Sequence, residues 1–267
     1  MKVYIMTDME GVSGLADPGM CEQDASEACF EGRRLLAGDV NAAIEGALRG
    51  GAEDIVVCDG HGGGGNLRAE DIISPARLTK PNGFANYLNG VDATFDACFL
   101  VGAHAMAGTA GAFMPHTQSA RDWKEYAVNG RPLGEIGQLA ILAGDYDVPV
   151  ALVTGDSFAV KEARDLLGEE VAAVSVKHTA AGGRVQCLAL DVARKLIVDA
   201  ARGALGKLKN MKPYKLSLPA TVTLKFYSPD VARRWVETTG TTLRDAVTMT
   251  FTADTAEKTV SRLGASR

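Results

Sequence analysis

The alternation of short apolar runs with longer helical segments constrains the fold of this chain more than any other feature. Residues 54–58, 97–101 and 148–153 are apolar apart from Asp54, as strands covered on both faces usually are. Between such runs, apolar residues recur at helical spacing, for example over 26–49, where two glycines then end the segment. Parallel strands need crossovers of this kind, so the pattern predicts an α/β fold whose mostly parallel central sheet is flanked by helices.

The rest of the chain continues this pattern up to a linker. Further strands are predicted at 3–9 and 171–176, and further helices at 134–143, 160–167 and 190–208. Residues 210–219 carry lysines and prolines in the manner of a linker. After the linker, the pattern predicts a small C-terminal β-α-β-α unit with strands at 221–226 and 246–252 and helices at 229–238 and 255–263. We therefore predict an α/β domain over 1–212 and a small C-terminal subdomain over 213–267.

Charge and composition argue against several classes of function. The 267 residues include 28 basic and 33 acidic side chains, for a net charge of −5, and no block of Lys and Arg that could neutralise a nucleic-acid backbone. Asp8 and Glu10 interrupt the apolar run near the N-terminus, so we expect neither a secretory segment nor a membrane anchor, and a cytoplasmic location. The five cysteines are odd in number and include no CxxC pair, which predicts reduced thiols.

Polar side chains follow several predicted strands where those strands end. Asp8 and Glu10 lie at the end of the first strand, His61 follows the second, and His104 follows the strand at 97, with His116 about a dozen residues later. Open α/β sheets bind their ligands at the carboxyl ends of the strands. We therefore expect three histidines and two carboxylates to converge at one edge of the sheet.

This set of side chains favours a metal ion. Asp8 and Glu10 are two residues apart and share a face of an extended chain, where their charges repel unless a cation lies between them. Taken alone, the pair also fits a solvated turn at a strand end. The histidines add weight, because only His178 of the four lies outside this edge. Imidazole with carboxylate is a ligand set for zinc or a similar first-row divalent metal.

The glycine run that follows His61 does not predict a nucleotide site. Residues 60–65 contain a literal GxGxxG, but the residues after it do not open a long amphipathic helix. The run also resembles the oxyanion loop of lipase-type hydrolases, but the chain contains no GxSxG nucleophile motif. A flexible loop and a close approach of backbone to a metal-bound substrate remain as alternatives.

Two further acids have alternative explanations. Glu135 begins a predicted helix, where an acid either complements the helix dipole or serves as a ligand. Asp156 ends a predicted strand, and a helix N-cap explains it nearly as well as a place in the site.

Six segments in combination resemble the zinc-dependent D-aminopeptidases of the dipeptide-operon type. The match runs in order from the N-terminus to about residue 190, in the segments TDMEG at 7–11, CDGHG at 58–62, VGAHA at 101–105, MPHT at 114–117, NGRPLGEIG at 129–137 and DVPVALVTGD at 147–156. The resemblance implies removal of N-terminal D-amino acids from short peptides at a two-zinc site. It implies a catalytic histidine, His116, a bridging ligand, Asp8, and four further metal ligands, Glu10, His61, His104 and Glu135.

The resemblance also implies a self-compartmentalising homo-oligomer. Its sites would face the inner chamber of a ring, for which a decamer is one candidate size, and the C-terminal unit would take part in the contacts between subunits. The chain departs from the family pattern in the four glycines after His61, where relatives carry bulkier polar residues, and its C-terminal unit matches only loosely. Because of these departures, the resemblance does not fix the substrate preference or the size of the ring.

Metal-assisted amide hydrolysis is the leading hypothesis, and the sequence leaves two alternatives. His116 would act as general base, general acid or nucleophile, and the sequence does not choose among these roles. A metal-dependent phosphoesterase would use the same ligand types together with nearby Arg or Lys, for which the motifs offer Arg131 and Arg121. A non-catalytic metal- or peptide-binding protein would have no spare histidine beside its ligands.

Overall fold

The protein folds into two β-sheets with helices packed against them. The structure is a computed structural model, which describes residues 1–24, 26–82, 90–180 and 183–264. The strands are β1 (Lys2–Thr7), β2 (Asp54–Asp59), β3 (Arg77–Thr79), β4 (Ala97–Ala103), β5 (Trp123–Val128), β6 (Arg131–Pro132), β7 (Val150–Asp156), β8 (Ala172–Thr179), β9 (Val185–Cys187), β10 (Ala220–Phe226), β11 (Thr242–Asp245) and β12 (Thr248–Ala253). The α-helices are α1 (Glu27–Arg49), α2 (Glu135–Asp145), α3 (Ser157–Leu167), α4 (Leu190–Gly206), α5 (Pro229–Thr239) and α6 (Lys258–Ser261).

The larger sheet has a topological switch point between β1 and β4. Its strand order is β3-β2-β1-β4-β7-β8-β9, and all neighbours are parallel except β8 and β9. From β1 the chain goes to β2 and β3 on one side, and then crosses to β4 on the other. A crevice opens where the strand order reverses in this way, at the carboxyl ends of β1 and β4. The predicted mostly parallel α/β fold is confirmed.

Alternate residues of β1 show how the sheet is covered on both faces. Val3 and Ile5 are fully buried in a core that includes α1 and α4, while Tyr4 and Met6 lie in the opposite core with α2 and α3. Burying each side chain of this size stabilises the fold by about 1.5–3 kcal/mol. No helix within the described ranges is both long enough and apolar enough to cross a membrane.

The second sheet combines the C-terminal strands with a hairpin from the middle of the chain. Its order is β11-β12-β10-β5-β6, and every pair is antiparallel. Trp123 on β5 packs edge to face against Trp235 on α5, with ring centroids 5.5 Å apart. The predicted β-α-β-α unit therefore lacks β11. It also lacks β5 and β6, which lie in the same sheet as the C-terminal strands. The division at residue 212 stays a prediction, and residues 265–267 of the predicted subdomain lie outside the described residues.

Candidate metal centre

The segment after β1 is bonded to the end of β4, which places two carboxylates at the switch point. The backbone N–H of Asp8 donates to Val101 O and that of Gly11 donates to Gly102 O, both at 2.8 Å. Gly102 has φ +85°, and a Cβ there would lie 2.0 Å from Asp8 O, so only glycine permits this approach. Asp8 and Glu10 are consequently buried, with 9% and 3% of their surface exposed.

His61 faces both carboxylates through one ring nitrogen. Its Nε2 donates to the carbonyl of Cys21 at 2.9 Å. Its Nδ1 lies 3.0 Å from Asp8 Oδ1 and 3.1 Å from Glu10 Oε2. The bond to Cys21 thus fixes the orientation of the ring and directs Nδ1 into the site.

His104 faces the site in the same manner from β4. Its Nδ1 donates to the carbonyl of Ala105 at 3.0 Å, and its Nε2 lies 3.2 Å from Asp8 Oδ2 and 3.4 Å from Glu135 Oε1. The two oxygens of Asp8 therefore face two different histidines.

Glu135, the first residue of α2, belongs to this cluster. One of its oxygens accepts a hydrogen bond from the backbone of Gln118 at 2.8 Å. Burial alone would raise the pKa of Glu135, but the imidazole of His104 beside it lowers the pKa to about 2. Its side chain thus faces the site, beyond any effect on the helix dipole.

His116 lies at the rim of the cluster. Its Nδ1 donates to the carbonyl of Met114 at 2.9 Å, and its Nε2 lies 3.9 Å from one oxygen each of Glu10 and Glu135. Met114 and Gln118, on either side of it, have φ of +46° and +60°, which non-glycine residues seldom adopt. The structure thus brings together all six residues that the sequence singled out.

The donor set fits a divalent metal. Two groups, Asp8–Glu10–His104 and His104–His116–Glu135, each have ligand atoms within 4.8 Å of one another. In the described part of the chain, the buried atoms Glu10 Oε2 and His104 Nε2 have no partner in hydrogen-bond geometry. Buried polar atoms are rarely left so, and a metal ion would satisfy both.

The electrostatics of the site favour positive charge. Burial alone would lower the pKa of His61, but the neighbouring carboxylates of Glu10 and Asp8 raise it to about 11. Burial would raise the pKa of Glu10, yet His61 above all holds it well below its usual range. A field that strongly favours a proton on an imidazole also favours a metal cation between the same groups.

Three acids outside the predicted set hold the segments that carry these residues. Asp59 accepts the N–H groups of residues 65–67 at 2.6–3.0 Å and closes the loop after His61, in which all four glycines have positive φ. Glu162 on α3 accepts the N–H of Met106, two residues after His104, at 2.7 Å. Asp156 caps α3, as the N-cap alternative predicted, and also accepts the N–H of Phe113 at 3.2 Å.

Asp59 and Glu162 are not among the residues that the sequence predicts for the site. Asp59 stands inside the CDGHG segment, so its place at the end of a strand could have marked it. Glu162 lies within a helix, and no local pattern distinguishes it from a surface acid.

Comparisons with known proteins identify similar sequences and a similar structure. The family model for D-aminopeptidase, peptidase M55, matches residues 1–265. The D-aminopeptidase of Bacillus subtilis (strain 168) is 35% identical over 218 residues, which are 80% of this chain and 77% of the relative. A solved structure, described as the Zn-dependent D-aminopeptidase DppA from Bacillus subtilis, a self-compartmentalizing protease, superposes with a TM-score of 0.91 at 30% identity. That match covers 97% of this chain and 94% of the other.

Proposed function

The chain belongs to the D-aminopeptidase family, and on that premise we propose that it removes N-terminal D-amino acids from short peptides at a centre of two zinc ions. It is a hydrolase, as its family is. The specificity for D-residues and the number of ions are the parts that we propose.

The arrangement around Asp8 is the observation that carries the proposal of two ions. Its Oδ1 lies 3.0 Å from His61 Nδ1, and its Oδ2 lies 3.2 Å from His104 Nε2. A carboxylate placed between two imidazoles in this way suits a bridging ligand. We assign Glu10 and His61 to one ion and Glu135 and His104 to the other, with Asp8 shared.

His116 is the residue to which we assign proton transfer. Bound zinc would polarise the scissile carbonyl and lower the pKa of a water molecule. The Nδ1–H of His116 is engaged with Met114 O, so Nε2 carries the lone pair and faces the cluster. There Nε2 can accept a proton from the attacking water and return it to the leaving amine. The same nitrogen could attack as a nucleophile, so the assignment is to the residue, and the role is left to experiment.

The alternative functions have less support. A phosphoesterase would need cationic side chains beside the metal. Arg121 and Arg131 are both exposed, and Arg131 donates to the carbonyl of Asp165. A non-catalytic binding protein has no use for a histidine held at the rim of the cluster, as His116 is.

An activity screen with and without zinc tests the proposal. Matched D- and L-alanyl p-nitroanilides, short peptides with D-alanine at the N-terminus, and p-nitrophenyl phosphate would be compared, with zinc content measured on the same samples. We expect zinc-dependent cleavage of the D-substrates, with two ions per chain. Cleavage of the phosphate ester alone, or equal rates for both enantiomers, would contradict the proposal. The Glu10→Gln variant controls for contaminating peptidases.

We also propose a homo-oligomeric ring and a cytoplasmic location. The ring is supported by the solved relative, which is described as self-compartmentalizing. A narrow opening into such a chamber would restrict the enzyme to short peptides.

A further inference from the structure

A buried lysine outside the candidate metal centre contacts two of the segments that form it. Lys177 lies near the carboxyl end of β8, opposite Asp156 of β7, with 2% of its surface exposed. Its ammonium donates to the carbonyls of Glu10 and Leu15, the latter at 2.6 Å. The same Nζ lies 4.6 Å from the centre of the Phe113 ring. All three contacts are made to residues far away in the sequence.

The first two contacts fix the segment that carries the carboxylates. Asp8 and Glu10 belong to the stretch 8–15, which we call the carboxylate loop. Lys177 holds this loop at two points, while the buried Asp39 of α1 accepts hydrogen bonds from the backbone N–H and the hydroxyl of Ser13 between them. Two elements that carry none of the predicted ligands, β8 and α1, therefore hold the carboxylate loop by hydrogen bonds.

The third contact fixes the segment that carries His116. Phe113 precedes this histidine by three residues. Its ring lies beneath the ammonium of Lys177, and its backbone N–H donates to Asp156 Oδ2 at 3.2 Å. A cation over an aromatic face is attracted by the ring, and more strongly when both groups are desolvated. Lys177 thus contacts the ring of Phe113, and Asp156, its neighbour on β7, holds the backbone of the same residue.

A buried ammonium is a costly choice for packing alone. Removing such a group from water is strongly unfavourable unless hydrogen bonds and nearby charge compensate. Here the compensation comes from two carbonyls, one aromatic face and the carboxylate of Asp156. An apolar side chain would fill the same space without that cost, so the contacts themselves suggest a role.

We propose that Lys177 is a positioning residue, which sets the carboxylate loop and the His116 segment in their relative places before metal binds. The proposal rests on the proposed function, because it assumes that these two segments hold the ions and the proton-transfer group. Lys177 reaches backbone carbonyls and an aromatic ring, so it acts through other residues and does not touch substrate.

The test compares Lys177→Met and Lys177→Gln with a matched control, Val176→Ala. Val176 precedes Lys177 on β8 and lies in the same buried core as Leu15 and Phe113. Its truncation weakens the packing of the same strand but removes none of the three contacts of the Lys177 ammonium. Zinc affinity is measured by competition with a chelator, and kcat and KM are measured separately on D-alanyl p-nitroanilide at saturating zinc.

We expect both Lys177 variants to bind zinc about 10–100-fold more weakly, as loss of a group that orients ligands usually causes. We also expect kcat to fall about tenfold or more while KM changes less than about twofold, since the His116 segment shifts but the substrate contacts stay. The Val176 variant should melt at a lower temperature with zinc affinity and kcat unchanged. If the Lys177 variants behave like this control, the proposal is wrong.

Hydrogen exchange on the wild-type protein tests the proposal without any variant that could fail to fold. The amides of Gly11 and Leu15 donate to backbone carbonyls of Gly102 and Val12, and we expect them to stay protected after a chelator has removed zinc. Loss of protection on zinc removal would show that the metal, and not Lys177, orders the loop. This measurement requires no activity, so a wild-type protein that cleaves no D-substrate would refute the proposed function and leave this inference open to test.

Discussion

The imidazole rings of His104 and His116 lie stacked, with centroids 3.9 Å apart and planes only 9° from parallel. His104 is nearly fully buried, and its Nε2 lies 3.2 Å from Asp8. The Nε2 of His116 stays 3.9 Å from the nearest carboxylate oxygens of Glu10 and Glu135. Two histidines in contact thus differ in depth and in closeness to the carboxylates. This difference supports a division of roles, with His104 as a ligand and His116 as the group that moves a proton.

Replacing His116 with alanine should separate these roles. We expect kcat to fall by about 10²–10⁴-fold, the usual contribution of a positioned acid or base. Zinc content should remain that of the wild type, since the five proposed ligands are untouched. His178→Ala is the matched control, because that histidine is exposed on β8 and should tolerate replacement. Loss of zinc from the His116 variant, measured by elemental analysis, would instead make His116 a ligand.

Removing zinc with a chelator should lower the melting temperature. Asp8, Glu10 and Glu135 bring three carboxylates together in a largely buried site, and a bound cation offsets their repulsion. A ligand present at 100 times its Kd stabilises a protein by about 2.7 kcal/mol, so added zinc should restore the melting temperature in a concentration-dependent way. An unchanged melting temperature after confirmed loss of metal would argue against a clustered site.

The convergence of these side chains could be predicted from the sequence largely because of how parallel strands are arranged. Asp8, His61 and His104 each follow a strand, and the carboxyl ends of parallel strands meet at one edge. Glu135 could not be placed by this argument, because it begins a helix and reaches the site only through the fold. Lys177 lies one residue beyond the predicted end of its strand at 176, so it was not recognised as part of the same edge.

The second sheet shows where local patterns carry no information. The residues of β5 pair with β10, for example Tyr126 with Leu224, almost a hundred positions later. Periodicity reports which face of a segment is apolar, but it does not identify the partner strand. The tail was therefore predicted as a unit by itself, although the core around Trp123 and Trp235 is shared between both parts of the chain.

Glu162 should make stability depend on pH through its buried carboxyl group. Burial raises the pKa of Glu162 to about 7, and the hydrogen bond from Met106 only partly opposes this. Because the folded-state pKa lies above the unfolded value, the protonated carboxyl group contributes stability that is fully present below about pH 4.5 and lost as the pH rises through about 7. Between these limits we expect the wild type to lose at most about 3 kcal/mol relative to Glu162→Gln.

Urea unfolding of both proteins from pH 4.5 to 8, at saturating zinc, measures this difference. The exposed Glu169→Gln variant is the control, and its stability difference from the wild type should stay constant across this range. A constant difference for Glu162→Gln as well would refute the prediction.

Asp59 should matter more for stability than the other acid of the same strand. Its carboxylate accepts the N–H groups of residues 65–67 and the side-chain amide of Asn66. Asp59→Ala leaves these donors without their partner, so we expect a loss of about 3 kcal/mol or more. The control is Asp54→Ala at the exposed start of β2, where the ion pair with Arg77 contributes about 0–1 kcal/mol. Equal losses in the two variants, measured by urea unfolding, would show that the loop after His61 does not depend on Asp59.

The assembly should be much larger than a dimer in solution. The apolar residues of the C-terminal strands, such as Val222, Leu224 and Phe226, are buried within this chain, so they do not by themselves require a partner. The support for an oligomer is the self-compartmentalizing relative, with which this chain shares its fold over 97% of its length.

If the sites face an enclosed chamber, a folded protein cannot reach them, whereas di- and tripeptides can. We therefore expect light scattering to give a mass several times the 28.0 kDa of one chain, with cleavage of N-terminal D-residues from short peptides and none from a folded protein that carries the same N-terminal residue. The same residue on an unfolded chain serves as the control for access. A monodisperse monomer with full activity would exclude the ring, and it would leave the assignment of the metal ligands unaffected.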